Sequence, residues 1–182
     1  MEKTDHLIWS YEIDYKDWQE NMEDAYPPDR YDEQWRIDRA YEINDSYLDD
    51  ERCNLNIKLS QPILVIADLG RWNGRFMGYK EIKSGNIKDC LYSDCDYNTW
   101  FVDKNGDLRC EAIHHDGTNY YLYRTYKDGV SEKQIEDLKW KIYNGKANRT
   151  DITRITKRLG DEIGKVYGWE FPQKQKTELG AR

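Results

Sequence analysis

Alternating apolar and polar residues divide the chain into a strand-like middle and helix-like ends. The run 62–67, Pro-Ile-Leu-Val-Ile-Ala, is the most apolar in the sequence, and its length is typical of a buried central strand. Further strand patterns follow it, separated by turn sequences such as Asn73-Gly74. They are residues 76–82, 98–102, 108–113 and 119–126, and residues 7–13 alternate in the same way. The pattern predicts an antiparallel meander of four or five strands.

Two helices are predicted in the N-terminal third. Trp18 and Met22 stand at i, i+4 spacing within residues 15–25, and the prolines at 27 and 28 end that helix because proline removes a backbone donor. Residues 29–50 carry a second apolar stripe at helical spacing. Six carboxylates follow one flank of this second helix and are expected to form a continuous anionic surface: Asp32, Glu33, Asp38, Glu42, Asp45 and Asp49.

Helical patterns return after the last strand. Ser131 precedes Gln134 by three residues, the spacing of a capping box, and predicts a helix from 131 to 143. Residues 150–167 predict a final helix that contains two glycines. The expected fold class is α+β, with N-terminal acidic helices and C-terminal helices packed on the sheet. The interpretation is a single domain, 1–182, divided into an acidic, mainly helical region (1–53), the sheet (54–130) and a mildly basic helical region (131–182).

Charge is unevenly distributed among these regions. Residues 1–53 hold 17 acidic and 6 basic residues, a net charge of −11, while residues 54–130 are neutral and residues 131–182 carry +4. The acidic region should repel nucleic acid and attract basic protein surfaces. The basic residues near the C-terminus, with Trp140 and Tyr143 among them, suit contact with phosphates, with the acidic region, or with solvent alone. This asymmetry favours a binding protein.

The sequence also bounds the compartment. It contains no apolar run of the roughly 20 residues that span a bilayer, and its first residues lack the apolar core of a secretory signal. We therefore expect the protein to act in a reducing cytosol, where cysteines stay as thiols.

Three cysteines and two histidines form the most specific candidate for chemistry. Cys90, Cys95, Cys110, His114 and His115 fall within 26 residues, and Cys3His sets are common in structural zinc sites. A zinc site would need a bend near Ala112, because four residues of extended strand separate Cys110 from His114 by roughly 13 Å. The alternative is that the cysteines pack as small apolar residues in a reduced core.

Other motifs fit catalysis or calcium poorly. A nucleophile–base pair of Cys95 or Cys110 with His114 rests on residue type alone, so a non-catalytic protein is expected. Residues 103–107 begin like a calcium-binding loop, but Leu108 and His114 stand where glycine and glutamate are required. A hairpin turn explains these residues better.

Two segments resemble proteins of mobile elements. Residues 61–70 (QPILVIADLG), followed by 72–75 (WNGR), and residues 114–124 (HHDGTNYYLYR) are similar to segments of short proteins encoded by phages and mobile elements of low-GC Gram-positive bacteria. The likeness covers roughly residues 50–170. Some small proteins from such genomes are anti-CRISPR proteins that inhibit the Cas9 nuclease of type II systems.

The resemblance implies a phage or mobile-element protein that binds Cas9, or its complex with guide RNA, and inhibits it in the cytoplasm of the bacterial host. Cas9 holds nucleic acid in positively charged channels, so an acidic surface that mimics DNA is expected to block DNA loading. The alternative function is a zinc-stabilised, nucleic-acid-binding accessory protein of a mobile element, motivated by the cysteine–histidine set and the basic C-terminal region.

Overall fold

One antiparallel sheet organises the computed structural model of the protein. The structure describes residues 5–12, 23–36, 38–39, 58, 62–68, 76–83, 86, 97–114 and 117–173. Seven strands lie in these ranges: β1 (His6–Glu12), β2 (Ile63–Asp68), β3 (Phe76–Ile82), β4 (Tyr97–Val102), β5 (Leu108–His114), β6 (Gly117–Tyr126) and β7 (Thr156–Arg158).

The strands follow the order β1-β4-β5-β6-β2-β3 across the sheet. β4, β5 and β6 form the predicted meander, whereas β2 lies on the far side of β6, with Ile63 opposite Thr125. β7 pairs with Arg124–Tyr126, where β6 extends past the end of β5. The α+β class is confirmed. The strand count exceeds the predicted four or five because β1 and the short β7 extend the central five strands.

Hydrophobic side chains cover both faces of the sheet. Ile63 and Val65 of β2 belong to one core, and Leu64 and Ile66 belong to a second. All four are at most 2% exposed, which explains why β2 is apolar at consecutive positions. Tyr123 of β6 packs into the first core while its neighbour on the strand packs into the second.

Three helices follow β6: α1 (Glu132–Tyr143), α2 (Arg149–Ile155) and α3 (Gly160–Tyr167). α1 matches its prediction, with Ser131 as N-cap and a capping box completed by Gln134. It lies against β3, where the Tyr126 hydroxyl donates to Glu81 and the Lys139 ammonium lies 3.1 Å from the same carboxylate. Among the described residues, no helix is both long and apolar enough to cross a membrane.

The single helix predicted over 150–167 is wrong, because β7 divides it into α2 and α3. Ile152 and Ile155 pack in the second core, whereas Leu159 and Ile163 pack in the first. One straight helix cannot reach both faces of a sheet, so the chain becomes extended between them. Pairing of β7 with β6 then satisfies the backbone groups that the helix would have used.

The predicted hairpin turn at 103–107 is confirmed. One carboxylate oxygen of Asp103 accepts hydrogen bonds from the backbone N–H groups of Asn105 and Asp107, at 2.9 and 3.0 Å. Gly106 has a φ of +85°, a conformation that favours glycine. Its carbonyl accepts the backbone N–H of Gly160 at 2.8 Å, so the turn contacts the start of α3.

Candidate functional site

Two short helical stretches near the N-terminus are joined by a turn and are rich in acidic residues. We call this segment, residues 23–36 and 38–39, the acidic corner. The Pro27 carbonyl accepts backbone N–H groups from Arg30 and Tyr31, at 3.0 and 3.2 Å, and this turn ends the first helical stretch. The carboxylate of Asp32 then accepts the backbone N–H of Trp35 at 2.9 Å. Asp32 is therefore the N-cap of the second stretch, which begins at 33 and not at the predicted 29.

Three aromatic rings hold this corner together. Tyr31 and Trp35 stack with centroids 4.6 Å apart, and Tyr26 meets both rings edge-on at 5.6 and 5.2 Å. Arg39 donates to the Tyr26 hydroxyl at 3.4 Å. Tyr31 and Trp35 nevertheless remain 36% and 40% exposed. Such stacked, partly exposed rings combine rigidity with apolar area, as in the centres of protein interfaces.

Acidic residues are interspersed with the exposed rings along this stretch of chain. The corner contains six acidic side chains, all exposed, and three arginines. None of the six pairs with a basic side chain among the residues that the structure describes. The six are Glu23, Asp24, Asp29, Asp32, Glu33 and Asp38. The corner therefore carries a net charge of −3, from six acidic side chains and three arginines.

The predicted acidic face is thus partly visible. Asp32, Glu33 and Asp38 are exposed in the acidic corner, where Asp38 accepts a hydrogen bond from Gln34 at 2.9 Å. Glu42, Asp45 and Asp49 lie outside the described residues. Asp32 has the additional capping function, which the sequence suggests only through its position before the helical stretch.

Of the predicted zinc ligands, the structure describes Cys110 and the backbone of His114, both on β5. Cys110 is 1% exposed in the first core, opposite Trp100 and Tyr121 on the neighbouring strands. β5 pairs in continuous register through Ala112, so the bend that zinc binding by Cys110 and His114 requires is not seen. No group of three metal-ligating residues occurs in the described ranges. Cys90, Cys95 and His115, with the side chain of His114, lie outside them, so zinc stays a prediction.

A cluster of partly buried ion pairs at one end of the sheet was not predicted from the sequence. Arg109 lies 2.7 Å from Asp103 and 2.9 Å from Asp68, while Arg124 lies 2.9 Å from Asp107. Burial lowers the pKa of Arg109, but the hydrogen bond and charge of Asp103 outweigh it and raise the pKa above its ordinary value. The guanidinium therefore stays charged and holds these carboxylates in place. The cluster links β2, β5 and β6 to the hairpin turn at 103–107.

Comparison of the chain with protein-family models, with curated proteins and with solved structures found no match.

Proposed function

We propose that this protein is a non-catalytic inhibitor of Cas9 that binds the nuclease through the acidic corner and competes with DNA loading. The observation that carries the proposal is the six exposed carboxylates in the same short stretch of chain as the stacked Tyr31–Trp35 pair. The resemblance of residues 61–70 and 114–124 to phage and mobile-element proteins supplies the choice of partner.

The charge of the corner suits a surface that normally holds phosphates. Cas9 binds nucleic acid in basic channels and reads the protospacer-adjacent motif with arginines. Carboxylates on short side chains can occupy the positions in which these arginines bind phosphate oxygens. Complementary charge speeds encounter, while the two aromatic rings provide the apolar contact that slows dissociation.

The local hydrogen bonds of the corner support binding by a preformed surface. The turn at Pro27, the Asp32 cap and the ring stack order residues 26–35 before a partner arrives. A preformed surface loses less conformational entropy on binding than a segment that must fold.

The test is a pull-down and DNA-cleavage assay with purified Cas9, with and without guide RNA. The wild-type protein should co-migrate with the nuclease and stop cleavage. Replacing Asp24, Asp29 and Glu33 together by lysine should weaken binding at least about tenfold, since like charges would then face each other. These three side chains make no hydrogen bond or ion pair within the described chain, so the reversal does not remove a structural contact.

A matched control separates local from overall charge. Glu132, Asp137 and Glu170 are also exposed, make no hydrogen bond or ion pair within the described residues and lie outside the corner, so their replacement by lysine changes the net charge equally. This control should inhibit Cas9 as the wild type does. Equal loss in both triple variants, or no inhibition by the wild type, would overturn the proposal.

A second pair of variants distinguishes charge from structure at the cap. Asp32→Asn removes the charge and keeps an acceptor for the Trp35 N–H, whereas Asp32→Ala removes both. Reduced binding by Asp32→Asn with unchanged stability would assign the effect to charge.

A further inference from the structure

Two large aromatic side chains are exposed together at the end of α1. Trp140 is 56% exposed and Tyr143 is 79% exposed, and their spacing of three places them on the same side of the helix. The neighbouring Leu138 and Ile142 are at most 3% exposed and belong to the second core. The two rings are therefore not needed to cover the sheet.

The end of α1 places a lysine beside these rings. Gly145 has a φ of +65°, and its N–H bonds to the Ile142 carbonyl, while the N–H of Lys146 bonds to the Lys141 carbonyl. These are the two hydrogen bonds of a Schellman motif, which reverses the chain at the helix end. The reversal brings the Lys146 ammonium to 4.9 Å from the centroid of the Trp140 ring.

Two cations near the rings have no acidic partner among the described residues, and a third remains accessible beside its partner. Lys146 and Arg149 are exposed, and the structure shows no carboxylate within ion-pair distance of either in its described part. Arg154 is 66% exposed and lies 3.9 Å from Asp151. The rings and these cations, with Lys141, form what we call the α1–α2 patch: Trp140, Lys141, Tyr143, Lys146, Arg149 and Arg154.

Asp151 offsets only part of this positive charge. Its carboxylate completes the capping box of α2 and lies 2.8 Å from Lys141. The hydrogen bond from Lys141 lowers the pKa of Asp151 below its ordinary value, so the carboxylate stays ionised and holds Lys141. Three cations, Lys146, Arg149 and Arg154, remain available for an external anion.

A groove between α1 and α2 adjoins the Trp140 ring. It has a volume of about 310 Å³. It is lined by Trp140, Lys141 and Arg154, by the apolar Leu138 and Ile155, and by two carboxylates, Asp137 and Asp151, of which Asp151 pairs with Lys141. A groove lined by the Trp140 ring and by Arg154 suits a flat ring whose substituent is anionic.

We propose that the α1–α2 patch binds single-stranded nucleic acid. Trp140 and Tyr143 stack on bases, and Lys146, Arg149 and Arg154 contact the phosphates between them. Stacking of exposed rings on bases beside a basic surface is the general mode of single-strand binding. A duplex offers its phosphates but not its base faces, so it uses only part of the patch. The inference does not rest on the proposed inhibition of Cas9.

The test is fluorescence anisotropy of a labelled oligothymidine titrated with the full-length protein, with a duplex of equal length in parallel. The single strand should bind more tightly than the duplex at low salt. The variant Trp140→Ala with Tyr143→Ala should weaken single-strand binding about tenfold or more and leave its salt dependence unchanged. Both side chains are largely exposed, so circular dichroism and urea unfolding should show the variant folded.

Charge variants test the phosphate contacts separately. Lys146→Ala with Arg149→Ala should weaken binding and flatten the slope of log affinity against log salt by about 1.4, at about 0.7 for each single-strand contact. The matched control, Lys165→Ala with Val166→Ala, removes one exposed cation and one exposed apolar side chain on α3. It should bind within twofold of the wild type.

Four results would overturn the inference. They are no binding at low salt, equal binding of duplex and single strand with the aromatic variant unaffected, equal loss in the α3 control, and competition by a peptide of residues 23–39 as strong as that of unlabelled oligothymidine. The last result would assign the patch to an acidic protein segment. Lysine substitutions in the acidic corner should not weaken oligothymidine binding, which separates this inference from the proposed inhibitory function.

Discussion

Replacing Gly160 by alanine tests whether the hairpin turn and α3 are held in direct backbone contact. A methyl group on Gly160 would lie 2.3 Å from the Gly106 carbonyl oxygen and 2.7 Å from two further backbone atoms of Gly106. The turn cannot move away freely. Hydrogen bonds within the turn fix it, and the Arg158 side chain lies close to Gly106.

The cost can be estimated from three contributions. Overpacking in a buried site costs about 1–3 kcal/mol. Losing the 2.8 Å hydrogen bond from the Gly160 N–H to Gly106 costs about 0.5–1.5 kcal/mol. Alanine offsets about 0.4–1 kcal/mol by restricting the unfolded chain. The expected net loss in free energy of unfolding is about 0.5–4 kcal/mol, and each kcal/mol lowers Tm by about 2–4 °C.

Urea unfolding followed by circular dichroism measures this loss. The control is Lys165→Ala, an exposed position of the same helix, which should change stability by less than about 0.5 kcal/mol. Equal stability of Gly160→Ala and wild type would refute the direct contact between turn and helix.

Two further predictions concern buried charges. Burial raises the pKa of Glu81, but hydrogen bonds from Tyr126 and Lys139 outweigh it and lower the pKa below 4.5. The stability that this carboxylate contributes is therefore present above pH 4.5 and is lost as the pH falls through the lowered pKa. Glu81→Gln should therefore cost about 1 kcal/mol at pH 7. In urea unfolding, the difference in stability from wild type should disappear once the pH is below the lowered pKa of Glu81. A constant difference at every pH would contradict this prediction. Arg109→Met removes the guanidinium that lies 2.9 Å from Asp68 and 2.7 Å from Asp103, and should cost about 2–4 kcal/mol in the same assay. The exposed control, Arg154→Met, should cost less than about 0.5 kcal/mol, and a comparable loss in both variants would contradict the prediction.

Local signals explain how much of the fold the sequence predicts. The Ser131 capping box and the Asp103–Asp107 turn depend on residues a few positions apart, and the structure has them as predicted. The boundaries of the central strands agree to within two residues for the same reason. Turn and strand patterns depend on neighbours in sequence, so one sequence suffices to find them.

Long-range pairing explains what the sequence misses. The spacing of Ile152, Ile155, Leu159 and Ile163 is that of one continuous helix, yet the first two and the last two face different cores. The position of β2 beside β6 depends on residues about 60 positions apart. Arg109 and Asp68 meet only because β5 and β2 flank the same strand, so their ion pair has no local sequence signal.

The acidic corner shows the same division at the candidate site. The exposed carboxylates follow from charge and helical spacing, which a sequence displays directly. The stack of Tyr26, Tyr31 and Trp35 depends on how the Pro27 turn folds, which the helical spacing of residues 29–50 does not reveal. Composition thus indicates an anionic surface, but not the ring stack within it.

The passage of the chain through β7 has a consequence for folding cooperativity. α2 closes one face of the sheet and α3 closes the other, and the three residues between them bond to the last three residues of β6. Neither face can open fully while that short ladder is intact, and breaking the ladder releases the helices of both. The two cores are therefore expected to unfold in one transition. In native-state hydrogen exchange, the amides of the β6–β7 ladder would then report the global free energy of unfolding, whereas lower protection there than in the rest of the sheet would show that the two faces open separately.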